Sequence, residues 1–413
     1  MTETATTTEP TPATDTTPGS AGQTFLVGDT LYLRGLELGD ATRPGAWRDS
    51  PFPIPKERAE EVLKKDEPKQ AEHRKTRLVA CRIADDQPVG SVTYQIWGWR
   101  TAELRVSADG ALGPAGAEVK AEIIRLVVPW LLHERHLMAV YAEIEGGEPA
   151  METALAAVGM RPAARLRDAI WRDGARHDHY WYEALHPGWV ERLGDPRASL
   201  DGVEPGAAPP TPRPRRPAAT FASAETLPRN VVTAGERVYL RALEPEDAEQ
   251  LARWSRQETE TFFDNGRAPR SAVIYSHFAK KAYEDDPPEH VEFAVVLREN
   301  DELIGEVGLY DISWIHRTAE TGSYLYRAER RSGGLGSEAK HLLLEYAFER
   351  LGFHMLRSFV WSPNTRSAAA LRKQGYRDAG RLCWTSPRGA EFVDDLSFDL
   401  LAEEWRANRP TTE

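Results

Sequence analysis

A glycine-rich turn at residues 331–337 carries the residue types and the spacing best suited to bind a phosphate group. Gly333, Gly334 and Gly336 have no Cβ atom, so their backbone can approach a ligand closely and adopt positive φ angles. A helix that starts directly after such a turn presents unpaired N–H groups and a partial positive charge. Together these features predict a seat for a phosphate or pyrophosphate. A flexible turn is the alternative interpretation of the glycines alone, since neither the G-x-G-x-x-G spacing nor a closing Gly-Lys-Ser/Thr is present.

The segments on either side of this turn predict the elements that position it. Residues 322–326 form a short run with aromatic side chains, as expected of a short buried strand. After the turn, apolar residues recur at the spacing of one helical face. They are Ala339, Leu342, Leu343, Tyr346 and Ala347. The order strand, glycine turn, helix is therefore predicted for this stretch.

The C-terminal half resembles a known family. The pattern R-x-x-G-x-G, formed by Arg331, Gly334 and Gly336, resembles the acetyl-CoA pyrophosphate loop of GNAT N-acetyltransferases. Four further segments are similar to the RimJ/RimL-type branch of that family and follow its order: the opening strand and first helix at 235–248, the A-E-I-G-Y strand at 319–324, the N-x-x-S...G-F/Y segment at 364–376 and the closing strand at 399–405. The resemblance covers about one whole domain.

The resemblance implies where acetyl-CoA would bind. In this family the loop N–H groups hold the pyrophosphate, and the pantetheine pairs like a strand with the bulged strand before the loop. A backbone N–H of that strand would hold the thioester oxygen while negative charge develops on it. The implied cofactor-binding residues are Leu325, Tyr326, Arg331, Ser332, Gly333, Gly334, Leu335, Gly336, Ser337, Asn364 and Ser367. The last two also stand at a predicted strand-to-helix junction, where capping of the helix is the alternative role.

The resemblance also implies direct transfer of the acetyl group to an amine, which needs a base and an acid. The amine must be neutral to attack, so a base must take its proton. Glu320 is the first candidate because it stands on the central strand of the motif, and Asp311 and His316 are second, with pocket lining or surface as their alternative role. Many GNAT enzymes use a tyrosine as the acid for the departing thiolate, but here Leu371 occupies that position. The remaining candidates for the acid are Tyr324, Tyr326 and Ser367.

Composition excludes several functional classes. The 413 residues are 41% hydrophobic and 28% charged, which suits two or three globular domains. The net charge of −12 argues against a general nucleic-acid or membrane-surface binder. No apolar run approaches the ~18 residues of a membrane span, and residues 1–22 lack the features of a signal peptide. With 2 cysteines, one in each half, no disulfide framework is expected, so we expect a cytoplasmic protein.

A cysteine and a pair of histidines could suggest a nucleophile or a metal site, but neither predicts one. Cys383 has no histidine near it in sequence, so an inert buried thiol is expected. His177 and His179 would point the same way on a strand, yet no third metal ligand is evident. We therefore expect no metal cofactor.

The two halves of the chain repeat each other. Residues 28–47 align with 235–254 without a gap, at an offset of 235 − 28 = 207. Near the ends of the halves the identities hold one offset, 375 − 159 = 216. We therefore predict one fold in both halves, produced by duplication. The predicted divisions are a disordered Thr/Pro tail at 1–23, a degenerate GNAT-like domain at 24–192, a Pro/Ala-rich linker at 193–230 and a GNAT acetyltransferase domain at 231–408.

The copies differ where the cofactor would bind. By its glycines, segment 113–118 aligns with 333–338, and Pro114 then replaces the middle glycine and offers no N–H. Glu148 stands at the position of Asn364, where its negative charge would oppose an anionic cofactor, and Met151 stands at that of Ser367. We predict that the first domain has lost acetyl-CoA binding. It would serve as a packing partner or as one wall of the acceptor site.

The predicted fold class is α/β (α+β), with two tandem GNAT-like domains, each a mixed, mostly antiparallel twisted sheet flanked by helices. The predicted function is acetyl-CoA-dependent N-acetylation of a primary amine by the C-terminal domain. The alternatives are transfer of a longer acyl group and a non-catalytic acyl-CoA-binding sensor or scaffold. The acceptor stays open between an apolar or aromatic amine, a peptide or protein N-terminus and a cationic amine such as a polyamine or an aminoglycoside. No nucleic acid or membrane partner is expected, and the chain is either a monomer with pseudo-dimeric domains or a homodimer.

Overall fold

The computed structural model describes residues 24–199, 228 and 230–408, with gaps at 49, 73, 260–268, 282–283, 285 and 389–390. The predicted tail at 1–23, and residues 200–227 and 229 of the predicted linker, lie outside these ranges. The described residues cluster into two compact units. The first takes in the chain up to Ala142 with 148–160 and 184–186, and the second takes in 143–147, 161–183 and the described residues from Pro187 onward. Residues 161–183, which the sequence-based division assigns to the first domain, thus cluster with the second unit.

The first unit follows the strands and helices expected from the apolar patterns. Its elements, in chain order, are β1 Thr24–Val27, β2 Leu31–Gly35, α1 Lys56–Glu72, β3 Lys75–Arg82, β4 Pro88–Ile96, β5 Thr101–Ala108, α2 Gly116–Pro129, the start of β6 Ala139–Glu145 and α3 Pro149–Ala157. Strands β1 to β5 pair antiparallel in sequence order. Residues 78–83, 89–95 and 101–106 read as strands from the sequence, and the structure forms β3, β4 and β5 there.

The second unit holds the C-terminal half of the chain together with one hairpin from before the linker. Its elements are β7 Arg161–Arg172, β8 Ala175–Leu185 as far as residue 183, α4 Pro187–Leu193, β9 Val231–Ala234, β10 Val238–Ala242, α5 Ala248–Ser255, α6 Ala272–Lys281, β11 Val291–Leu297, β12 Leu303–Ser313, β13 Thr318–Leu325, α7 Leu335–Glu345, β14 Met355–Trp361, α8 Thr365–Lys373, β15 Arg377–Arg388, β16 Glu391–Leu401 and α9 Ala402–Ala407. Strands β9 to β13 pair antiparallel with their sequence neighbours. The predicted fold class, a mixed and mostly antiparallel sheet with flanking helices, is confirmed.

One parallel pair interrupts this antiparallel sheet. Strands β13 and β14 pair in parallel over three residues only, ending with Glu320 opposite Arg357. Beyond that point β13 continues to Leu325 and keeps its pairing with β12, while β14 continues to Trp361 and keeps its pairing with β16. The two strands therefore diverge and leave a fork in the sheet.

Helix α7 covers one face of the sheet beside this fork. Its apolar stripe is buried, as the 3.6-residue periodicity predicts. The buried apolar members are Ala339, Leu342, Leu343 and Leu344. Because the stripe fixes the helix against the sheet, the first turn of α7 is held at the open end of the fork. The strand, glycine turn and helix predicted around residues 322–347 are confirmed.

The elements of the two halves recur at one spacing. Helix α8 follows α3 at 365 − 149 = 216 residues, and β14 follows β6 at 355 − 139 = 216. The same offset relates two buried carboxylates, Glu122 and Glu338, since 338 − 122 = 216. Glu122 accepts hydrogen bonds from the backbone N–H groups of residues 30 and 31, and Glu338 accepts them from those of 237 and 238. The sequence-based pairing of Glu118 with Glu338 is therefore wrong, because matching glycines displaced the register by four residues.

Among the described residues, no helix is both long enough and apolar enough to cross a membrane.

Candidate active site

A cavity of about 1260 Å³ opens at the fork between β13 and β14. Residues 321–325 of β13 and 358–361 of β14 line its two sides, and loop residues 331–334 with the first turn of α7 line one end. The fork is closed at its base by two side-chain bonds: Thr321 Oγ1 lies 3.1 Å from the carbonyl oxygen of Arg357, and Ser358 Oγ lies 2.9 Å from that of Thr321. A linear molecule can therefore lie between the two strands and reach the base of the fork.

The glycine loop shapes the entrance to this cavity. Gly334 has a φ of 82°, which favours glycine, and α7 begins directly after it. A Cβ atom added at Gly333 would meet nothing within 4 Å, so the space beside that residue is open. The first N–H groups of α7 have no partner in the preceding turn of helix, which gives this end of the cavity donors and a partial positive charge. The loop and the helix start fit a pyrophosphate.

Glu320 stands at the base of the fork, on the last paired position of β13. Its side chain is 30% exposed, and this exposure is to the cavity that it lines. Arg357 on β14 is the nearest cation, with its Nε 3.7 Å from Oε2 of Glu320. Burial raises the pKa of the Glu320 carboxyl above its ordinary value, and the Arg357 charge opposes that rise. A carboxylate whose pKa is raised in this way is a stronger proton acceptor than an ordinary glutamate.

Comparison with known proteins identifies the domain around this cavity. The family described as acetyltransferase (GNAT) domain matches residues 237–377. The chain contains a GNAT acetyltransferase domain. The uncharacterized N-acetyltransferase YnaD of Bacillus subtilis is 32% identical over 114 residues, which cover 28% of this chain and 66%, just under two thirds, of that protein.

Two further similarities extend over more of the relative's length. The uncharacterized N-acetyltransferase p20 of Bacillus licheniformis is 28% identical over 173 residues, or 41% of this chain and 96% of that protein. A crystal structure of spermidine N-acetyltransferase from Vibrio cholerae in complex with CoA and spermine is 22% identical, with 41% of this chain and 98% of that chain covered and a TM-score of 0.37. The class of the enzyme is N-acetyltransferase, and GNAT acetyltransferases take the acetyl group from acetyl-CoA and transfer it to an amine.

Arg331 holds the glycine loop of the acetyltransferase domain in place. Its guanidinium donates to the carbonyl oxygen of Leu325, with Nη2 at 2.8 Å and Nε at 3.0 Å, and pairs with the Glu258 carboxylate. Both charged side chains are buried, at 7% and 5% exposure. The predicted phosphate-binding arginine therefore ties the loop to the end of β13, and its side chain already has protein partners.

Asn364 and Ser367 begin helix α8 at the far side of the cavity. The Asn364 side chain accepts a hydrogen bond from the backbone N–H of Ser367 at 3.2 Å, which is the capping arrangement. Both residues also line the cavity. Gln374, at the other end of α8, donates to the carbonyl oxygen of Ser337 at 3.3 Å, so the end of α8 is tied to the first turn of α7.

The other predicted catalytic residues lie around Glu320 at different depths. Asp311 is 66% exposed at a bulge in β12, is not among the residues that line the cavity, and binds Arg357 with Oδ2 2.7 Å from Nη2. Its negative charge adds to the rise of the Glu320 pKa, while its side chain is held by Arg357. His316 accepts a hydrogen bond from the backbone N–H of Trp171 at 3.1 Å.

The two tyrosines at the end of β13 have hydroxyl groups with carboxylate partners. Tyr324 lines the cavity with its ring, and its hydroxyl donates to Glu258 at 2.7 Å. Tyr326 is 3% exposed in the core, and its hydroxyl donates to Glu306 at 2.7 Å. Neither Tyr326 nor Leu335, also predicted to bind the cofactor, is among the residues that line the cavity.

Sequence reasoning missed two ionisable residues of the cavity, Lys340 and Asp395. Lys340 lies on α7 and is 3% exposed, and burial lowers the pKa of its ammonium to about 7. Asp395 lies on β16, and burial raises the pKa of its carboxyl to about 7, with the Glu320 charge adding to the rise. The sequence did contain an indication that Lys340 is buried, because Lys340 falls in the apolar stripe of α7 with Leu343 and Ala347. Asp395 gave no comparable signal, because an acidic residue in a strand is usually solvated.

The remaining candidates from the sequence are structural. Cys383 is buried, and burial raises the pKa of its thiol, so the thiolate is disfavoured. His179 Nε2 lies 3.8 Å from Oε2 of Glu143. Within the described part of the chain, no three His, Cys, Asp or Glu side chains are grouped closely enough to hold a metal ion.

Proposed function

We propose that the second unit transfers the acetyl group of acetyl-CoA directly to a primary amine at the base of the fork. The observation that carries this proposal is the juxtaposition of three features in one cavity: the glycine loop, the open space between β13 and β14, and Glu320. The loop would take the pyrophosphate, the fork would take the pantetheine, and the thioester would then end beside Glu320. No covalent enzyme intermediate is needed, because the amine is itself the nucleophile.

The predicted cofactor-binding residues divide into two roles in this proposal. Residues 332–337 offer backbone donors at the start of α7, and Leu325 offers backbone beside the fork. Asn364 and Ser367 would contact the cofactor while they also cap α8. Arg331 would act as a positioning residue, because its side chain holds the loop to β13 through Leu325.

Glu320 is the base of the proposed reaction, and acidic neighbours favour a cationic acceptor. An amine arrives as an ammonium ion and must lose one proton before it attacks. Glu292, Glu320 and Asp395 all line the cavity, and the Glu292 carboxylate accepts a hydrogen bond from Tyr310 at 2.9 Å. A group of carboxylates around the acceptor position attracts the ammonium form and provides the site for its proton. We therefore favour a cationic amine over an apolar one.

The first unit is, in this proposal, a second GNAT-like copy of the RimJ/RimL type that no longer binds acetyl-CoA. With the offset of 216, the counterparts of Gly336 and Asn364 are Lys120 and Glu148. These two side chains form an ion pair, with Lys120 Nζ 2.5 Å from the Glu148 carboxylate, and both are more than four-fifths buried. In the second unit, Gly336 and Asn364 leave the corresponding place open. In the first unit, the ion pair occupies it.

A calorimetric titration of the full chain with acetyl-CoA should therefore give one site per chain. The first unit lacks the glycine at Lys120 and adds a carboxylate at Glu148, so it offers neither the space nor the charge for a pyrophosphate. As a control, Ser337→Glu should remove the single site, whereas Lys120→Gly should leave the stoichiometry at one. A stoichiometry of two would contradict the proposed division between the copies.

The function itself is tested by release of free CoA thiol from acetyl-CoA in the presence of single amines. A panel of polyamines, aminoglycosides, aromatic amines and peptides with free N-termini covers the acceptor classes, and mass spectrometry of the product locates the acetyl group. We expect release that depends on the amine, with cationic amines the best acceptors. Tight binding of acetyl-CoA without release for any amine would support an acyl-CoA sensor instead.

A further inference from the structure

Lys340 occupies a position in the acetyltransferase domain where a charged side chain is unexpected. It lines the cavity while being 3% exposed, and its Nζ lies 5.9 Å from the centroid of the Tyr376 ring. Fully buried lysines are rare unless they are paired. Among the residues that the structure describes, no carboxylate oxygen lies within 4 Å of this Nζ in an ion pair. The ammonium therefore faces the cavity without the partner that burial normally requires.

The other copy of the fold shows what this position holds when it has no chemical role. With the offset of 216 that relates Glu122 to Glu338, the counterpart of Lys340 is Ile124, which is 0% exposed. An apolar side chain thus satisfies the packing between this helix and the sheet. Lys340 replaces it in the copy that has the glycine loop and the fork, so its amine is explained by the cavity rather than by the core.

The charged and titratable groups near Lys340 come from several strands of the sheet. Glu320 on β13 is the carboxylate that favours the charged form of the amine, and burial opposes it, which lowers the pKa of Lys340 to about 7. Tyr376, directly before β15, presents its ring, while its hydroxyl lies 2.8 Å from Oγ1 of Thr321 at the base of the fork. The charge of Glu320 interacts with that of Asp395 on β16, and Arg357 on β14 opposes the rise of the Glu320 pKa.

The acetyl transfer also needs a proton donor for the departing sulfur. When the C–S bond breaks, the CoA sulfur departs as a thiolate and needs a proton. Leu371 stands where a tyrosine would supply it, and the hydroxyls of Tyr324 and Tyr326 already donate to carboxylates. Lys340 is a proton donor that lines the same cavity from helix α7.

We propose that Lys340 is the general acid that protonates the departing CoA thiolate. The inference rests on the proposed function. The acceptor nitrogen forms a bond to the thioester carbon, the C–S bond breaks, and the electron pair of that bond takes a proton from the Lys340 ammonium. Glu320 has by then passed the proton of the incoming ammonium ion to solvent, so its carboxylate takes the second proton that the acceptor nitrogen loses as the amide forms. Transfer of that proton from Glu320 to the neutral Lys340 amine restores both groups for the next turnover.

The first test follows the proton on Lys340 and needs no acceptor. In the full chain labelled with ¹³C at the lysine Cε, one resonance should titrate with a midpoint of about 7, and it should be absent from Lys340→Met. If every lysine resonance titrates near its ordinary value of about 10.4, Lys340 is not poised to give up a proton and the proposal is overturned. This result stands whether or not an acceptor is found.

The second test measures turnover with the best amine of the panel. Lys340→Met should lower kcat on the order of 10²–10⁴-fold while the affinity for acetyl-CoA changes little, because a general acid acts on the transition state. The variant should fold, since Ile124 shows that an apolar residue fits this position. In the parent enzyme kcat should fall as pH rises through the pKa of the acid, and this alkaline decline should disappear in the variant.

Two further variants separate an acid from a charge. Lys340→Arg keeps the positive charge but cannot release a proton near neutral pH, so it should be as slow as Lys340→Met. Lys373→Met removes the exposed lysine at the rim of the same cavity and should retain the alkaline decline. Full activity of Lys340→Arg would overturn the proposal, as would an acetyl group found on Lys340 by peptide mass spectrometry, which would make it a nucleophile.

Discussion

Glu320→Gln should lower kcat on the order of 10²–10⁴-fold and leave the affinity for acetyl-CoA almost unchanged. Glutamine has nearly the same size as glutamate and can occupy the same place beside Arg357. It cannot accept the proton of the attacking amine. Because the base takes that proton only while the C–N bond forms, its loss affects kcat rather than cofactor binding. Steady-state kinetics with the best amine, combined with calorimetry of acetyl-CoA binding, measures both quantities.

The sequence repeat in the first unit provides a matched control for this variant. Glu103 stands on β5 at the position of Glu320 on β13, since 320 − 103 = 217. Glu103→Gln changes the same residue type on the same strand of the fold, in the copy without the glycine loop. It should leave kcat unchanged. A kcat of Glu320→Gln close to that of Glu103→Gln would remove Glu320 from the reaction.

The pH dependence gives a second measure of the role of Glu320. A base works in its deprotonated form, so kcat falls when the pH drops through the pKa of the base. Burial raises the pKa of Glu320, which places this fall above the ordinary carboxyl value of about 4.3. Since Asp395 interacts with Glu320, the acidic limb reports the two carboxylates together. The limb should weaken or disappear in Glu320→Gln.

Local patterns were sufficient to predict the elements that position the site. The strand β13, the glycine turn and the helix α7 each depend on residues close in sequence: aromatic residues in a short run, glycines that permit a positive φ, and an apolar stripe with helical spacing. Gly334 has the positive φ that its residue type allows, and Asn364 caps α8 as its position before the helix suggests. The fold class followed from the resemblance of the C-terminal half to GNAT N-acetyltransferases.

The environment of each charge could not be predicted, because distant contacts decide it. Arg331 is predicted to bind phosphate, yet its partner Glu258 lies 73 residues away in the sequence. A lysine is usually exposed to solvent. Lys340 is buried only because the apolar stripe of α7 packs on the sheet. The pairing of Glu118 with Glu338 failed for the same reason. What fixes the register of the helix is a carboxylate that binds the backbone of a distant hairpin, and the glycines of the loop carry no information about it.

Ser337→Glu should abolish acetyl-CoA binding without weakening the fold. Ser337 is the third residue of α7 and lines the cavity beside the glycine loop, where the pyrophosphate is proposed to bind. A carboxylate there would lie about 4–5 Å from a bound phosphate, where two like charges repel by about 3–4 kcal/mol at an effective dielectric constant of 20. That repulsion corresponds to a loss of affinity on the order of 10²–10³-fold. The same carboxylate is favourable for the helix, because negative charge near a helix start stabilises it by about 0.3–1 kcal/mol.

The opposite signs of these two effects make the variant diagnostic. Calorimetry should show that acetyl-CoA binding is lost, while thermal unfolding should show a Tm equal to or above that of the parent chain. Ser337→Gln has nearly the same size as Ser337→Glu but no charge, so it should retain most of the affinity. If the two variants bind acetyl-CoA equally well, no anion sits at the start of α7, and the cofactor must enter the cavity in another orientation. If both lose binding equally, the loss comes from the size of the side chain and the electrostatic role of the helix start is disproved.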